Sequence, residues 1–305
     1  MHPIESVCIV GPGAMGAYYF RKYQDARPGS VYLLAGGDRA KDLERNGLTV
    51  NGRRYTTPVK GPSEGGNGAD LLIVAVKHHH LDQAIEDMQG HVGPDSLILS
   101  VMNGIDSEER LAEVFGWERV LYGVALGIDA LRDGRRVSYT KEGTLYVGRA
   151  ENTTEDQAVA RLRRSLEEAG IPYEVPGDML RVLWWKYMIN VGVNQVSAVL
   201  RAPFGVFQTS EAAVGVMDRA MQEVIEVARA QGIRIGPEDV RTWHTVLAEL
   251  SPDGKTSMCQ DVEAGRKTEV EMFAGRLIEL GRQAGVATPV NQTLMELIQA
   301  LESRQ

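Results

Sequence analysis

Short apolar runs at residues 6–10, Val31–Leu34, 71–76, 97–102 and 120–126 punctuate the first half of the chain. Helix-length stretches with apolar residues at helical spacing lie between them, at 14–23, Leu81–Met88 and Ser107–Phe115. Strands that are apolar throughout, rather than at every second residue, belong to a parallel sheet covered on both faces. That order predicts a doubly wound α/β domain. Around 48–59 the texture changes, and Asn51-Gly52 sits between alternating residues, a pair suited to the positive φ angles of a tight hairpin. Residues 136–139 and 144–147, joined through Gly143, predict a second small antiparallel pair at the far edge of the sheet. After Gly177 the strand signals stop. Residues 179–200, 210–231, 237–250, 261–283 and 291–301 read as helices, with Pro203 and Gly205, Gly232 and Gly236, and Pro252 and Gly254 as breaks. The expectation is an α/β domain over 1–177 and an all-α domain over 178–305, with a cleft between them.

Composition narrows the classes of partner. The chain has 305 residues, 43% of them hydrophobic, and 33 basic against 41 acidic side chains, a formal charge of −8. That balance argues against a nucleic-acid partner while leaving room for a local basic pocket. No apolar run approaches the ~18–20 residues that cross a bilayer. The first residues, Met1 to Glu5, lack the basic and then apolar regions of a secretory signal. Two cysteines, Cys8 and Cys259, cannot build a disulfide framework, so a reducing compartment and a cytoplasmic location are expected.

Residues 11–16 read G-P-G-A-M-G directly after the first strand and at the start of a helix. Gly11 permits the tight turn, Gly13 lets the backbone approach a pyrophosphate, and Gly16 allows close helix–strand packing, with Pro12, Ala14 and Met15 completing the loop. Amides at the helix start and the local dipole both favour a phosphate. The competing reading is a bare structural turn. An NAD site usually places an acid at the end of the second strand. Here the strand runs into Ala35-Gly36-Gly37, and the nearby charged residues are Asp38, Arg39 and Lys41. Arg39, or Lys41, suits a 2′-phosphate and points to NADPH, with NADH as the alternative; both side chains are also compatible with a solvated helix start.

In L-W-W-K-Y-M-I-N-V-G-V-N, Lys186, Asn190 and Asn194 stand four and eight residues apart, on one face of a helix. Trp184, Trp185, Met188 and Ile189 predict that the segment is largely buried. Polar groups on a buried helix need partners, either from the protein or from a polar ligand. A carbonyl accepting hydride needs a cationic proton donor at its oxygen, which Lys186 can supply while the asparagine amides orient the substrate. A buried structural network is the competing reading. Ser257 stands at a helix start where its hydroxyl and nearby amides suit a carboxylate, although Thr256 and Asp261 there also read as plain caps. Glu269 on its own reads as an exposed carboxylate.

Taken together, G-x-G-A-M-G, V-K at 76–77, M-N-G at 102–104, W-K-x-x-x-N-x-x-x-N at 185–194, S-M-x-Q-D-V-x-A-G-R-x-T-E at 257–269 and A-T-P-V-N at 287–291 resemble the ketopantoate reductases over nearly the whole chain. The resemblance implies a Rossmann-type NADP-binding domain over 1–177 and a helical substrate and catalytic domain over 178–305, and it implies reduction of 2-dehydropantoate to pantoate with NADPH, a step towards pantothenate and coenzyme A. By the same resemblance, Lys186 is the general acid, and Asn190 and Asn194 hold the substrate's hydroxyl and carbonyl groups. Ser257 binds its carboxylate, and Glu269 orients Lys186 or the cofactor. Asn103 borders nicotinamide and substrate, and Lys77 lies on the cofactor side. Three positions depart from the family pattern: Ala35-Gly36-Gly37 lacks the usual arginine, Gln195 replaces a frequent proline, and Ala274 replaces a frequent asparagine.

His78, His79 and His80 are adjacent, so they cannot form an i, i+4 metal pair, and no metal is expected. Cys8 reads as a core residue, and Cys259 as a neighbour of the pocket without a histidine partner. The expected partner is a small 2-oxoacid, with no membrane, and the apolar helical half offers a homodimer interface. A reductase for another 2-oxoacid and a non-catalytic NADP-binding sensor are the rivals. A sensor needs only the glycine loop, and the second constellation weighs against it.

Overall fold

A computed structural model describes residues 2–153 and 155–303; Met1, Thr154, Arg304 and Gln305, which fall inside the two expected domain ranges, lie outside the described residues. The chain divides into two compact units, residues 1–179 and 180–305.

Among its described residues the first unit has twelve strands: β1 Val7–Val10, β2 Val31–Leu34, β3 Leu48–Val50, β4 Arg53–Tyr55, β5 Val59–Lys60, β6 Ala69–Val74, β7 Val92–Ser100, β8 Val120–Ile128, β9 Leu131–Asp133, β10 Arg136–Ser138, β11 Glu142–Gly148 and β12 Tyr173–Glu174. Its helices are α1 Ala14–Ala26, α2 Gly37–Asn46, α3 Leu81–Met88, α4 Ser107–Phe115 and α5 Gln157–Glu168. Eight strands form one sheet in the order β12-β11-β8-β7-β6-β1-β2-β5, parallel from β5 to β8 and antiparallel only between β8 and β11.

The pleat sorts the apolar runs into two cores. Val7, Ile9, Val31, Leu33, Leu71 and Ile73 face α1 and α5, while Cys8, Val10, Leu34, Leu72 and Val74 face α3 and α4. Because both faces are covered, neither can alternate with polar residues, and this explains the continuous apolar runs. The fold is therefore the doubly wound one that the sequence predicts.

Of the two local strand pairings expected, one is corrected and one is found. Residues 136–139 and 144–147 do not pair with each other. β10 joins β9 and β3 in a separate four-stranded sheet, β4-β3-β10-β9, whereas β11 lies antiparallel to β8 in the main sheet. The Asn51-Gly52 hairpin does form, between β3 and β4, with φ of 47° and 78° at its two turn residues.

The second unit is helical: α6 Met179–Ile189 begins at the unit boundary, followed by α7 Gln195–Leu200, α8 Gly205–Thr209, α9 Glu211–Ala230, α10 Pro237–Glu249, α11 Ser257–Glu263, α12 Arg276–Ala284 and α13 Pro289–Glu302. Residues Asn190–Asn194 and Glu271–Gly275 widen into π-helical turns. The helix expected over 261–283 is interrupted, since α11 ends before Gly265 at φ 63° and regular structure resumes only at the second π turn.

A buried polar cluster ties this unit together. The Glu223 carboxylate on α9 accepts the Val290 and Asn291 amides at 2.8 and 3.0 Å and the Asn291 side chain at 2.7 Å, capping the start of α13. Asn291, fully buried, accepts in turn from the buried Gln195 at 2.9 Å. Glu223→Ala takes this acceptor from the Val290 and Asn291 amides and leaves the Asn291 side chain to the Ala220 carbonyl at 3.2 Å, at a cost of about 3 kcal/mol. Urea unfolding of the variant should show that loss, and a midpoint unchanged from wild type would refute the capping role.

No helix among the described residues is long and apolar enough to cross a membrane.

Candidate active site

The first unit gathers its polar loops at the carboxyl ends of neighbouring strands. From β1 the chain winds outwards through β2, and β6 and β7 then add on the opposite side, so the sheet order reverses beside β1. In open α/β sheets the crevice at such a reversal is where ligands bind. The glycine loop follows β1, Lys77 follows β6, and Asn103 follows β7. Lys77 and Asn103 are both half-buried.

The three loop glycines do different things. Gly11 has φ 85°, and a Cβ there would stand 2.5 Å from Val76 Cγ1 and 2.9 Å from the Ala75 carbonyl oxygen. A Cβ on Gly16 would run into the Gly11 carbonyl oxygen. Gly13 is unlike both, because its Cβ would meet only the Ala75 oxygen, at 3.9 Å. It caps α1 in an extended conformation without a side-chain acceptor for the first helical amides. The loop is thus tight where it packs on the protein and open where an anion would approach, so it fits a pyrophosphate. Arg39, on the first turn of α2, donates from Nη2 to the Pro12 carbonyl at 3.4 Å, which sets its guanidinium beside this loop. Lys41 instead pairs with Asp38 at 3.2 Å and is exposed.

The second unit carries the other group. Lys186 is half-buried on α6, between buried Trp184 and Tyr187. Asn190 and Asn194 open and close the π turn that follows, and Asn194 Nδ2 donates to Asn190 Oδ1 at 3.3 Å. Widening the turn releases backbone carbonyls, and two side chains compensate for this. Gln195 donates to the Val191 carbonyl at 2.7 Å. Tyr187, fully buried, donates to the Phe273 carbonyl at 2.5 Å in the second π turn, and the two π turns pack together. Gly192 admits the crossing of α9, because a Cβ there would lie 2.5 Å from Met221 Cγ.

α11 packs against this same stretch, with exposed Ser257 as its first residue. Thr256 is the cap of α11, accepting the Cys259 amide at 3.2 Å, and Asp261 pairs with Arg266 at 2.8 Å. Glu269 is half-buried just ahead of the second π turn, where its carbonyl accepts the Phe273 amide at 3.1 Å. Ala274, at the departure from the family pattern, is buried within that turn.

Gln195, Tyr187 and Glu223 were not singled out from sequence as parts of this framework. The only signal was polarity within an apolar stretch, which names no partner.

Both cysteines are held as thiols by burial. Burial pushes the Cys8 thiol up to about 12, against the opposing hydrogen bond from Tyr32. Burial likewise raises Cys259. Neither forms a thiolate readily. His78–His80 is one 3₁₀ turn, with His78 Nδ1 3.7 Å from Asp106. Among the described residues, no three His, Cys, Asp or Glu side chains are grouped to hold a metal.

Comparison with known proteins gives a consistent result for both units. Residues 7–152 match the family model described as Ketopantoate reductase PanE/ApbA, and residues 178–302 match its C-terminal counterpart. The 2-dehydropantoate 2-reductase of Archaeoglobus fulgidus is 28% identical, covering 98% of this chain and 99% of its own length. The crystal structure of 2-dehydropantoate 2-reductase from Geobacter metallireducens superposes with a TM-score of 0.84 at 28% identity, covering 97% of this chain and 99% of that one. D-mandelate dehydrogenase, solved with NADH and anilino(oxo)acetate, shares the fold with a TM-score of 0.88 over 98% and 99% of the two chains, at 23% identity. Matched in order through both its units, this chain is an oxidoreductase belonging to the ketopantoate reductase family.

Proposed function

We propose that this chain reduces a small branched 2-oxoacid with NADPH, 2-dehydropantoate to pantoate before any other. The observation that carries the reading is the lysine and hydrogen-bonded asparagine pair on one otherwise apolar helical stretch, behind which a buried network fixes the backbone. The names borne by the Archaeoglobus and Geobacter relatives support the choice of substrate.

Residues 11–16 hold the dinucleotide's pyrophosphate through backbone amides, Arg39 meets the 2′-phosphate, and Lys77 lines the cofactor side. When bound, the nicotinamide supplies a hydride to the substrate's carbonyl carbon. Lys186 gives its proton to the carbonyl oxygen as negative charge grows there, and the resulting amine regains a proton from water. Asn190 and Asn194 orient the hydroxyl and carbonyl groups. The Ser257 hydroxyl, with the first amides of α11, receives the carboxylate. Glu269 orients the Lys186 ammonium or the cofactor, and Asn103 borders both reactants.

An NADH-dependent reductase of another 2-oxoacid is the second reading, favoured by the missing arginine at Ala35-Gly36-Gly37. Paired kcat/KM values for NADPH and NADH over a panel of 2-oxoacids separate the two readings. The proposal expects the highest value for NADPH with 2-dehydropantoate. Tight NADPH binding without turnover of any acid would instead indicate a sensor. Arg39→Gln should raise the KM for NADPH by about tenfold, the worth of one charge-assisted phosphate contact, and leave that for NADH unchanged. Equal effects on both cofactors would remove Arg39 from the phosphate site.

A further inference from the structure

The β9–β10 hairpin of the smaller sheet reaches α2 through its turn, Gly134-Arg135. Gly134 has φ 58°, and the Arg135 carbonyl accepts the Thr49 amide at 3.3 Å, which pins the turn beside β3. From there the exposed Arg135 side chain donates from Nη1 to Asp42 Oδ1 at 2.7 Å. Asn46, one turn further along α2, donates to the same oxygen at 2.8 Å. These two hydrogen bonds hold the Asp42 carboxyl below the ordinary aspartate range, so it is ionised. Its other oxygen, Oδ2, stands 3.9 Å from Arg39 Nη1, beyond hydrogen-bond distance.

A carboxylate three residues along a helix would ordinarily close on such a guanidinium and offset its charge. Here one carboxylate faces two guanidiniums, and the one from the hairpin takes it. Arg39 is left with a single long hydrogen bond among the described residues, to the Pro12 carbonyl of the glycine loop at 3.4 Å. Its charge and its remaining donors are therefore available where the second strand runs out. In a doubly wound dinucleotide fold that is the adenosine ribose end, where NADPH carries a phosphate and NADH a hydroxyl.

We propose that Arg135 is a specificity-determining positioning residue: by drawing the Asp42 carboxylate to the hairpin, it keeps Arg39 available for the 2′-phosphate of NADPH. Arg135 acts through Asp42 rather than on the cofactor. This inference rests on the NADPH reading above. Its test is the dissociation constants of NADPH and NADH, from nicotinamide fluorescence at low and moderate salt. They are measured for wild type, R135A, D42N and the double variant D42N/R135A.

R135A lets Asp42 close on Arg39, so NADPH should weaken by about fivefold, the worth of an exposed ion pair, with NADH unchanged. Moderate salt should shrink that loss, because the charges involved are open to solvent. D42N removes the competing carboxylate and should bind NADPH at least as tightly as wild type. The double variant should recover what R135A loses. An R135A affinity for NADPH equal to wild type would overturn the role of Arg135 and leave the NADPH reading standing. A double variant as weak as R135A, or equal weakening of both cofactors, would also overturn it, by showing that the side chain merely supports the hairpin. Weaker NADPH binding in D42N would overturn it too, by showing that Asp42 holds Arg39 in place. A wild-type protein that binds NADH at least as tightly as NADPH would overturn the NADPH reading itself, and this inference with it.

Discussion

Lys186→Ala is expected to lower kcat by about a thousandfold or more, with the dissociation constant for NADPH within about twofold of wild type. A positioned general acid contributes about 10²–10⁴ to rate, and loss of the cation beside a developing alkoxide adds to that. The glycine loop and Arg39, which the proposal assigns to the cofactor, belong to the other unit, so the substitution does not alter them. Lys186→Arg refines the result. Arginine restores the charge but holds its proton too firmly to give it up, so kcat should recover only in small part. Pre-steady-state absorbance at the nicotinamide band, read with fluorescence titration of NADPH, separates the chemical step from binding. A variant turning over within about fivefold of wild type would remove Lys186 as the proton donor.

Gly16→Ala is expected to abolish measurable cofactor binding, a rise of about a hundredfold or more in the dissociation constant. The added methyl has nowhere to go, since it would meet the Gly11 carbonyl oxygen, and Ile9 Cγ2 stands 3.2 Å away on the first strand. Either α1 lifts from β1 or the loop opens, and both movements take the helix-start amides away from the pyrophosphate. Gly13→Ala provides the comparison. Its methyl fits the protein alone, with one contact at 3.9 Å, and would collide only with a bound ligand. The Gly13 variant should therefore keep wild-type thermal stability while losing cofactor affinity, whereas the Gly16 variant loses both. Calorimetric melting with and without NADPH checks the pair. Retained affinity in Gly13→Ala would show that no phosphate approaches this loop.

How much of this was legible in the sequence depends on how local the cause was. The run from β1 through the glycine loop into α1 could be read directly, because burial on both faces, a positive φ and a helix start each leave a mark within a few residues. The partner of β10 could not. Three residues such as Arg136–Ser138 carry no information about which strand they join, and their pairing with β3 is decided by packing against α1. The break after α11 was hidden for a similar reason. Gly265 takes a left-handed conformation, and the Thr268 amide is captured by the Glu302 carboxylate from the distant α13 at 2.7 Å, a partner that no residue near the break names.

In the candidate site, the i, i+4 spacing of Asn190 and Asn194 correctly brought the two amides together. It concealed the π turn, because the same spacing suits either helix. Gln195, read from sequence as a minor departure, is buried and serves the Val191 carbonyl that the wider turn releases.

The account stands on one hydride and one proton reaching a 2-oxoacid through this chain. Incubation with 2-dehydropantoate and NADPH dideuterated at nicotinamide C4, followed by mass spectrometry of the product, tests it most directly. The predicted product is pantoate carrying a single deuterium on carbon 2, formed by wild type and nearly absent with Lys186→Ala. Unlabelled pantoate, or NADPH oxidised at the same rate with and without the acid, would contradict it.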